Sequence, residues 1–157
     1  MKIFLCLLSH ETDGKLQNIH FPLSIGLISE CIKQNIQDVD TFLFKRPSIL
    51  SNTLKNSAPD IVMFGNYMWN EKLNCFFAKC IKSIYPKTLI VFGGPNISIN
   101  SEENIAFLRT NKFVDMLAMG DGEIVSKNIV SSHIKTKNDI EKTKSLKIEN
   151  TLSISAL

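Results

Sequence analysis

Glycine residues follow three apolar runs of this sequence, and they mark places where the backbone could approach a bound molecule closely. Gly65 ends the first of these runs, the pair Gly93-Gly94 ends the second, and Gly120 and Gly122 follow the third. A glycine has no Cβ, so its backbone can adopt positive φ and leave room for a ligand. Each glycine alone could simply serve a tight turn, but the set of three favours a ligand-binding site.

Few side chains near these glycines could bind a ligand or catalyse a reaction. His10 and His20 lie in a long loop after the first apolar run, and Trp69, the single tryptophan, follows Gly65. Asp121 and Glu123 flank Gly122, but adjacent turn carboxylates are typical of a helix N-terminus rather than of an acid/base pair. The residues therefore indicate binding, and they show no catalytic machinery.

The four cysteines do not form a metal or redox motif. Cys6, Cys31, Cys75 and Cys80 contain no CxxC pair, and no histidine cluster with zinc spacing accompanies them. Free, largely buried thiols are expected. CxxxCxxC, the spacing that holds a four-iron cluster, occurs nowhere in the sequence.

The elements that must position the loops alternate between strand and helix. Continuous apolar runs are typical of parallel strands covered on both faces, and apolar residues at a period of 3.6 predict helices. The predicted strands are 2–9, 40–44, 61–65, 89–92 and 114–119, and the predicted helices are 22–34, 48–55, 70–84, 100–109 and a last one ending near 134.

This alternation predicts an α/β fold with a doubly wound, five-stranded parallel sheet in the order 2-1-3-4-5. Right-handed crossovers then place helices on both faces of the sheet. Ligands of such sheets bind beyond the carboxyl ends of the strands, where the strand order reverses. The glycine-bearing loops are expected at that edge. Residues 1–134 are expected to form the domain, and 135–157, rich in Lys, Ser, Thr and Asn, a polar linker or frayed C-terminal tail.

Composition excludes several classes of function. The chain has 157 residues, of which 44% are hydrophobic and 21% charged, as in ordinary globular proteins. A formal charge of +3, spread along the chain, is too weak and diffuse for nucleic acid. The apolar run at the N-terminus is too short for a secretion signal, and no run reaches the length of a membrane span. A cytoplasmic protein with neither membrane nor nucleic-acid partner is expected.

At the loops, the sequence resembles a known family. It is similar to the N-terminal cobalamin-binding domain of cobalamin-dependent radical S-adenosylmethionine (SAM) enzymes, from about residue 1 to residue 134. The resemblance rests on the order and spacing of six short stretches. These are Pro22-Leu-Ser-Ile-Gly-Leu27, Pro59-Asp-Ile-Val-Met-Phe-Gly65, Trp69-Asn70, Ile90-Val-Phe-Gly-Gly-Pro95, Val114-Asp115 and Gly120-Asp-Gly-Glu123.

The resemblance implies a flavodoxin-like, Rossmann-like fold with a corrinoid held over the carboxyl edge of the sheet. It implies that the strand-four turn passes close to the corrinoid or its nucleotide tail. It also implies that Trp69 could lie against the macrocycle and that His10 could cap the cobalt. The cofactor-binding candidates are His10, Asn66, Tyr67, Trp69, Gly93, Gly94, Pro95, Gly120, Gly122 and Glu123.

Two departures from cobalamin enzymes limit what the chain could do. The DxHxxG motif, whose histidine ligates cobalt in methyltransferases and mutases, is absent, although many of the radical enzymes also lack it. Without CxxxCxxC the chain holds no iron–sulfur cluster, so a radical SAM barrel domain or chain is the implied partner.

Three alternatives follow from the same pattern. A degenerate domain of this family would serve only as a packing or protein-interaction surface. A phosphoryl receiver needs an aspartate at the end of the third strand, where this chain has Met63-Phe64-Gly65. A flavodoxin needs a hydroxyl-rich loop after the first strand, and Ser9-His-Glu-Thr-Asp-Gly14 is a poor version of one.

Overall fold

Five parallel strands and one antiparallel strand form the main sheet in the computed structural model, which describes residues 1–18 and 21–156. His20, the second histidine of the first loop, lies outside these residues. The strands are β1 (Lys2–Cys6), β4 (Asp40–Phe44), β5 (Ile61–Gly65), β6 (Leu89–Gly93), β7 (Met116–Ala118) and β8 (Thr151–Leu152). The sheet order is β4-β1-β5-β6-β7-β8, and its first five strands follow the predicted order 2-1-3-4-5.

The α/β fold class is confirmed, but the predicted sheet lacked its sixth strand. β8 pairs antiparallel with β7, with Leu117 opposite Leu152 and Ala118 opposite Thr151. A separate two-stranded hairpin, β2 (Glu11–Thr12) and β3 (Lys15–Leu16), occupies the long loop after β1. Strands of two residues show no detectable hydrophobic period, so sequence patterning does not reveal them.

Helices cover both faces of the sheet, as the right-handed crossover rule requires. The first face packs against α1 (Leu23–Asn35) and α5 (Gly122–Lys135), and Ile3 and Leu5 of β1 point toward it. Phe4 and Cys6 of β1 point to the second face. That face packs against α2 (Pro47–Leu54), α3 (Glu71–Ile84) and α4 (Ser101–Thr110).

Helix α3 buries a narrower stripe than its sequence predicts. Phe77 and Ile81 are buried in the core, whereas Phe76 is 61% exposed and Ile84 is 60% exposed. The ring of Phe76 lies edge-on to Phe77. A helix on one face of a sheet turns only part of its circumference inward, so apolar residues at the margins of the stripe reach solvent.

Regular elements occur after residue 135, where the composition predicts a linker or frayed tail. Helix α6 (Ile140–Ser145) and a 3₁₀ turn (Ile154–Ala156) flank β8. Asp115, at the start of β7, is 6% exposed and pairs with Lys82 of α3 at 2.7 Å and with Lys144 of α6 at 3.9 Å. This contact ties α6 to the core through polar groups, which hydrophobic patterning does not reveal.

A second polar contact anchors the same segment. The Nδ1 atom of His133 lies 2.8 Å from the hydroxyl of Thr143, and both residues are buried. The hydroxyl of Thr143 also lies 2.7 Å from that of Thr136. Desolvation by burial lowers the pKa of His133, so the imidazole is neutral at pH 7.

None of the helices in the described part of the chain combines the length and the apolar composition that a membrane span requires.

Candidate cofactor-binding site

A cavity of about 210 Å³ opens at the carboxyl ends of β1, β5, β6 and β7, on the side of α1 and α5. Its walls are mainly apolar side chains, and its rim is the backbone of the glycine-bearing loops. Polar groups come from Ser24, Ser126 and Glu123. The apolar wall consists of Leu5, Ile25, Ile28, Met63, Val91 and Ala118, and the rim includes Gly65, Gly93, Gly94, Gly120 and Gly122.

A second, more open cavity of about 500 Å³ adjoins the first, and Ser24, Tyr67 and Glu123 line both. Its other walls are mostly apolar. They come from the first loop, the start of α1 and the loop after β5, and include Leu8, Phe21, Leu23, Leu27 and Trp69. The two cavities together form a narrow apolar slot that widens into a broad mouth.

Two stacked aromatic rings form one wall of this mouth. The rings of Tyr67 and Trp69 lie 4.5 Å apart at an interplanar angle of 25°. Trp69 is 51% exposed and the neighbouring Met68 is 82% exposed. Trp69 thus presents a flat apolar face to the outside instead of plugging the core.

A network of buried asparagines holds the loop that carries these rings. Asn70 is fully buried, and its amide donates to the carbonyl oxygens of Leu8 and Gly65 at 3.0 and 3.1 Å. Its Oδ1 accepts the backbone N–H of Tyr67 at 2.9 Å and the amide of Asn74 at 3.0 Å. Both amide donors and both acceptor positions of Asn70 are therefore satisfied.

The structure places His10 outside both of these cavities. Its Nε2 lies 2.9 Å from the carbonyl oxygen of Trp69, and because a carbonyl only accepts, Nε2 carries the proton and donates. The imidazole lines a shallow cavity of about 440 Å³ beside α2 instead. His10 thus bonds the first loop to the loop after β5.

Gly94 shows why its turn needs a glycine. Its φ is +107°, and a Cβ there would lie 3.0 Å from the backbone oxygen of Asn66 and 3.2 Å from its nitrogen. The chain's own backbone, rather than open space, is therefore the closest neighbour of this glycine. Pro95, which follows, is exposed and lies outside the cavity walls.

The loop after β7 closes the opposite rim. Gly122 lies against Ile28 of α1, so the start of α5 packs closely on α1. Glu123 follows in the first turn of α5, at the junction of the two cavities. Asp121 occupies the N-cap position of α5, but its side chain makes no capping hydrogen bond, contrary to the capping role that turn carboxylates suggest.

Asn66 points to the other face of the sheet. It is 1% exposed, its amide donates to Glu71 at 3.3 Å, and its Oδ1 accepts from Asn74. Glu71 also accepts a hydrogen bond from the amide of Asn96. Asn66 thus joins the loops after β5 and β6, and it lines a small cavity of about 170 Å³ on the α4 side.

The first loop is fastened to α2 by a carboxylate. Glu11 of β2 accepts from the hydroxyl and backbone N–H of Ser48 and pairs with Arg46 at 2.7 Å. Hydrogen bonds from Ser48 lower the pKa of the Glu11 carboxyl, with a contribution from Arg46. Glu11 therefore remains ionised at the N-terminus of α2, where negative charge is favourable.

Sequence reasoning did not single out Ser24, Ser126 or Asn74. Ser126 is buried in α5 and faces the apolar slot. Asn74 lies four residues after Asn70, the N-cap of α3, and this spacing is the signal that would have revealed their contact on one face of the helix start. Within residues 1–18 and 21–156, no group of three or more His, Cys, Asp or Glu side chains could hold a metal ion.

Burial also affects the thiols. The pKa of Cys75 is raised to about 11, and that of Cys6 is raised further by complete burial. Both side chains are therefore neutral thiols at pH 7, and neither is activated as a nucleophile.

No family model matches the chain. Among curated proteins, it is 27% identical over 123 residues to the cobalamin-dependent radical SAM methyltransferase TokK of Streptomyces tokunonensis. It is 24% identical over 123 residues to 2-(S-pantetheinyl)-carbapenam-3-carboxylate methyltransferase of Streptantibioticus cattleyicolor. Each match covers 75% of this chain and 18% of the relative, so the chain spans about a fifth of the length of these relatives.

Proposed function

We propose that this chain is a cobalamin-binding module whose adjoining cavities receive a corrinoid. The observation that carries the proposal is the apolar slot rimmed by strand-end glycines, which opens into a mouth walled by the exposed ring of Trp69. A flat, largely apolar macrocycle fits such a wall, since aromatic faces stack well on planar groups. The similarity to a cobalamin-dependent methyltransferase over 75% of the chain supports it.

The residues around the mouth suit the periphery of such a ligand. A corrinoid carries amide side arms, and the Glu123 carboxylate at the junction of the cavities could accept hydrogen bonds from them. The slot behind Gly93 and Gly120 has mainly apolar walls, which would suit the planar aromatic base of the nucleotide tail. When bound, the corrinoid would supply a cobalt centre able to carry a methyl group.

Of the histidines in the part of the chain that the structure describes, neither offers much toward that cobalt. His10 donates to the Trp69 carbonyl and lines neither cavity, and His133 is buried beside Thr143. We therefore propose binding through shape and apolar contact, without a cobalt ligand from either histidine. Any iron–sulfur cluster and SAM site would belong to a separate domain or chain, since CxxxCxxC is absent from this sequence.

Hydroxocobalamin binding tests the proposal directly. The purified protein is mixed with hydroxocobalamin and desalted, and the retained corrinoid absorbance is measured against protein concentration. We expect roughly stoichiometric retention. Complete loss of the absorbance on desalting would contradict the proposal.

A substitution that fills the junction of the two cavities tests whether the corrinoid binds there. Ser24 is exposed on α1 and lines both cavities, so Ser24→Phe should obstruct their junction without disturbing the core. Ser83→Phe makes the same change at an exposed position of α3 that lines neither cavity. We expect at least a tenfold weaker affinity for Ser24→Phe, about 1.4 kcal/mol, and no change for Ser83→Phe.

A second candidate function is a protein-interaction surface without a ligand. Exposed apolar side chains at the same edge favour it, notably Phe21 at 79% and Met68 at 82% exposure. This function predicts no corrinoid retention, together with a stable complex with a radical SAM barrel chain in the absence of corrinoid. Size-exclusion chromatography of the two chains, with and without hydroxocobalamin, distinguishes the two functions.

A further inference from the structure

We propose that Asn70 is the positioning residue for the Tyr67–Trp69 stack. Its side-chain hydrogen bonds hold the loop of residues 66–69, the aromatic loop, in the position that forms the aromatic wall of the site. The inference rests on the proposed function only where it concerns corrinoid affinity. Its structural part concerns Trp69 in the free protein.

The bonds of Asn70 connect three separate pieces of backbone. The carbonyl of Leu8 lies just beyond β1, the carbonyl of Gly65 ends β5, and the N–H of Tyr67 belongs to the aromatic loop. One side chain thereby fixes the loop relative to the ends of two neighbouring strands. No aliphatic or shorter side chain could make all of these bonds at once.

Because Asn70 is buried, water cannot replace the hydrogen bonds that its side chain makes. Asn70 is 0% exposed, so removal of its amide leaves the Leu8 carbonyl without that partner in a buried site, whereas the Gly65 carbonyl keeps the amide of Asn74. A buried carbonyl without a partner is costly, and the loop must shift to recover a bond. Because Tyr67 is held through its N–H by the same side chain, that shift moves the stack directly.

Trp69 is tied to this loop in two further ways. Its ring stacks on Tyr67 at 4.5 Å, and its carbonyl accepts the Nε2–H of His10. The His10 contact is exposed to solvent and comes from the long first loop. Asn70 therefore provides the interior anchor of the loop, and His10 provides an outer one.

Asn74 provides a matched control, because its substitution shows what the loss of a buried asparagine in this network does by itself. It is also 0% exposed and donates to Gly65, Asn66 and Asn70. Among the described residues, Asn74 makes no side-chain hydrogen bond to Tyr67, Met68 or Trp69, and its Oδ1 has no partner there. Asn74→Ala thus removes a buried asparagine of the same network without removing the bond to the Tyr67 N–H.

The single tryptophan gives a direct readout. Asn70→Ala and Asn74→Ala are compared with the unsubstituted protein by acrylamide quenching of Trp69 fluorescence and by near-UV circular dichroism, at a temperature where far-UV spectra show each is folded. Since the ring is 51% exposed, we expect its quenching constant to rise about twofold in Asn70→Ala as the loop opens. We expect little change in Asn74→Ala.

Should Asn70→Ala not fold, Asn70→Ser decides in its place. Serine is neutral and small, but its short hydroxyl cannot replace both amide donors to Leu8 and Gly65, and quenching should rise in the same direction. An unchanged Trp69 signal in the folded Asn70 variant, or an equal change in Asn74→Ala, would overturn the inference.

Hydroxocobalamin titration then separates this inference from the proposed function. We expect about a tenfold weaker affinity in Asn70→Ala, with less than threefold change in Asn74→Ala. If the unsubstituted protein binds no corrinoid, the proposed function fails, while the fluorescence comparison still decides the role of Asn70. Equal affinities of the two variants, with binding intact, would overturn the link between the stack and the ligand.

Discussion

The imidazole of His10 donates a hydrogen bond to the carbonyl oxygen of Trp69 at 2.9 Å. This bond joins two loops that are distant in sequence but adjacent at the carboxyl edge of the sheet. It also assigns the proton of the imidazole to Nε2.

The first prediction concerns this bond. His10→Ala should leave the absorbance spectrum of bound hydroxocobalamin unchanged in shape, because the imidazole lines neither of the two adjoining cavities. The free energy of unfolding should fall by about 0.5–1.5 kcal/mol, the usual worth of one hydrogen bond. Urea denaturation measures the second effect. A spectral shift on substitution would show instead that the imidazole contacts the cobalt.

The second prediction compares two glycines. Gly94→Ala should lower the free energy of unfolding by about 1–3 kcal/mol, because φ is +107° and the new methyl group would meet the Asn66 backbone at 3.0 Å. Gly26→Ala, in α1, meets nothing within 4 Å and should raise it by about 0.5–1 kcal/mol. Thermal unfolding of both variants checks the opposite signs, and a neutral Gly94→Ala would contradict the left-handed turn at Gly94 and its close approach to Asn66.

The third prediction is a pH dependence of stability. The pKa of His133 is lowered by burial from its ordinary value of 6.5, so the unfolded chain binds a proton at higher pH than the folded one. The contribution of this residue is therefore fully present above pH 6.5 and is lost as the pH falls through the folded pKa. Asp60, Asp139 and Lys82 face the ring electrostatically, and the two carboxylates partly oppose the shift.

Unfolding experiments between pH 7.5 and about pH 5 check this linkage. The His133→Gln variant should show a shallower pH dependence than the unsubstituted protein over the same range. Parallel curves for the two proteins would indicate that other groups dominate.

The fourth prediction concerns the buried pair at the start of β7. Lys82→Met should destabilise the fold by about 3 kcal/mol, because it leaves the Asp115 carboxylate without its 2.7 Å partner. Lys144→Met should cost about 1 kcal/mol or less, since that ammonium lies 3.9 Å away. Burial raises the pKa of Asp115, with Lys82 the main opposing influence.

Double-mutant cycles with Asp115→Asn measure the two couplings separately. The coupling of Asp115 to Lys82 should exceed its coupling to Lys144. The reverse order would indicate that α6, rather than α3, provides the main partner of this carboxylate.

The main sheet could be predicted because its signals are local. The run Ile61–Gly65 and the run Leu89–Gly93 are continuous and apolar, and the helices between the strands have a clear 3.6 period. β8 could not, since two residues carry no pattern and their partner strand lies far back in the chain. The same holds for Asp115, whose partners Lys82 and Lys144 come from two different helices.

The candidate site was predictable in part for the same reason. Parallel strands place their following loops at one edge, so the glycines after β6 and β7 were expected together and do line one cavity. The orientation of Asn66 and the bond of His10 depend on side-chain hydrogen bonds between loops, which no spacing in the sequence encodes.

The position of β1 also determines the order in which the fold can assemble. β1 comes first in the chain, yet it lies between β4 and β5, both of which are made later. During synthesis, the edge of β1 that pairs with β5 remains open until Gly65 has left the ribosome. A nascent chain with an uncovered strand is prone to aggregate, so chaperones that shield emerging chains should matter most before that point.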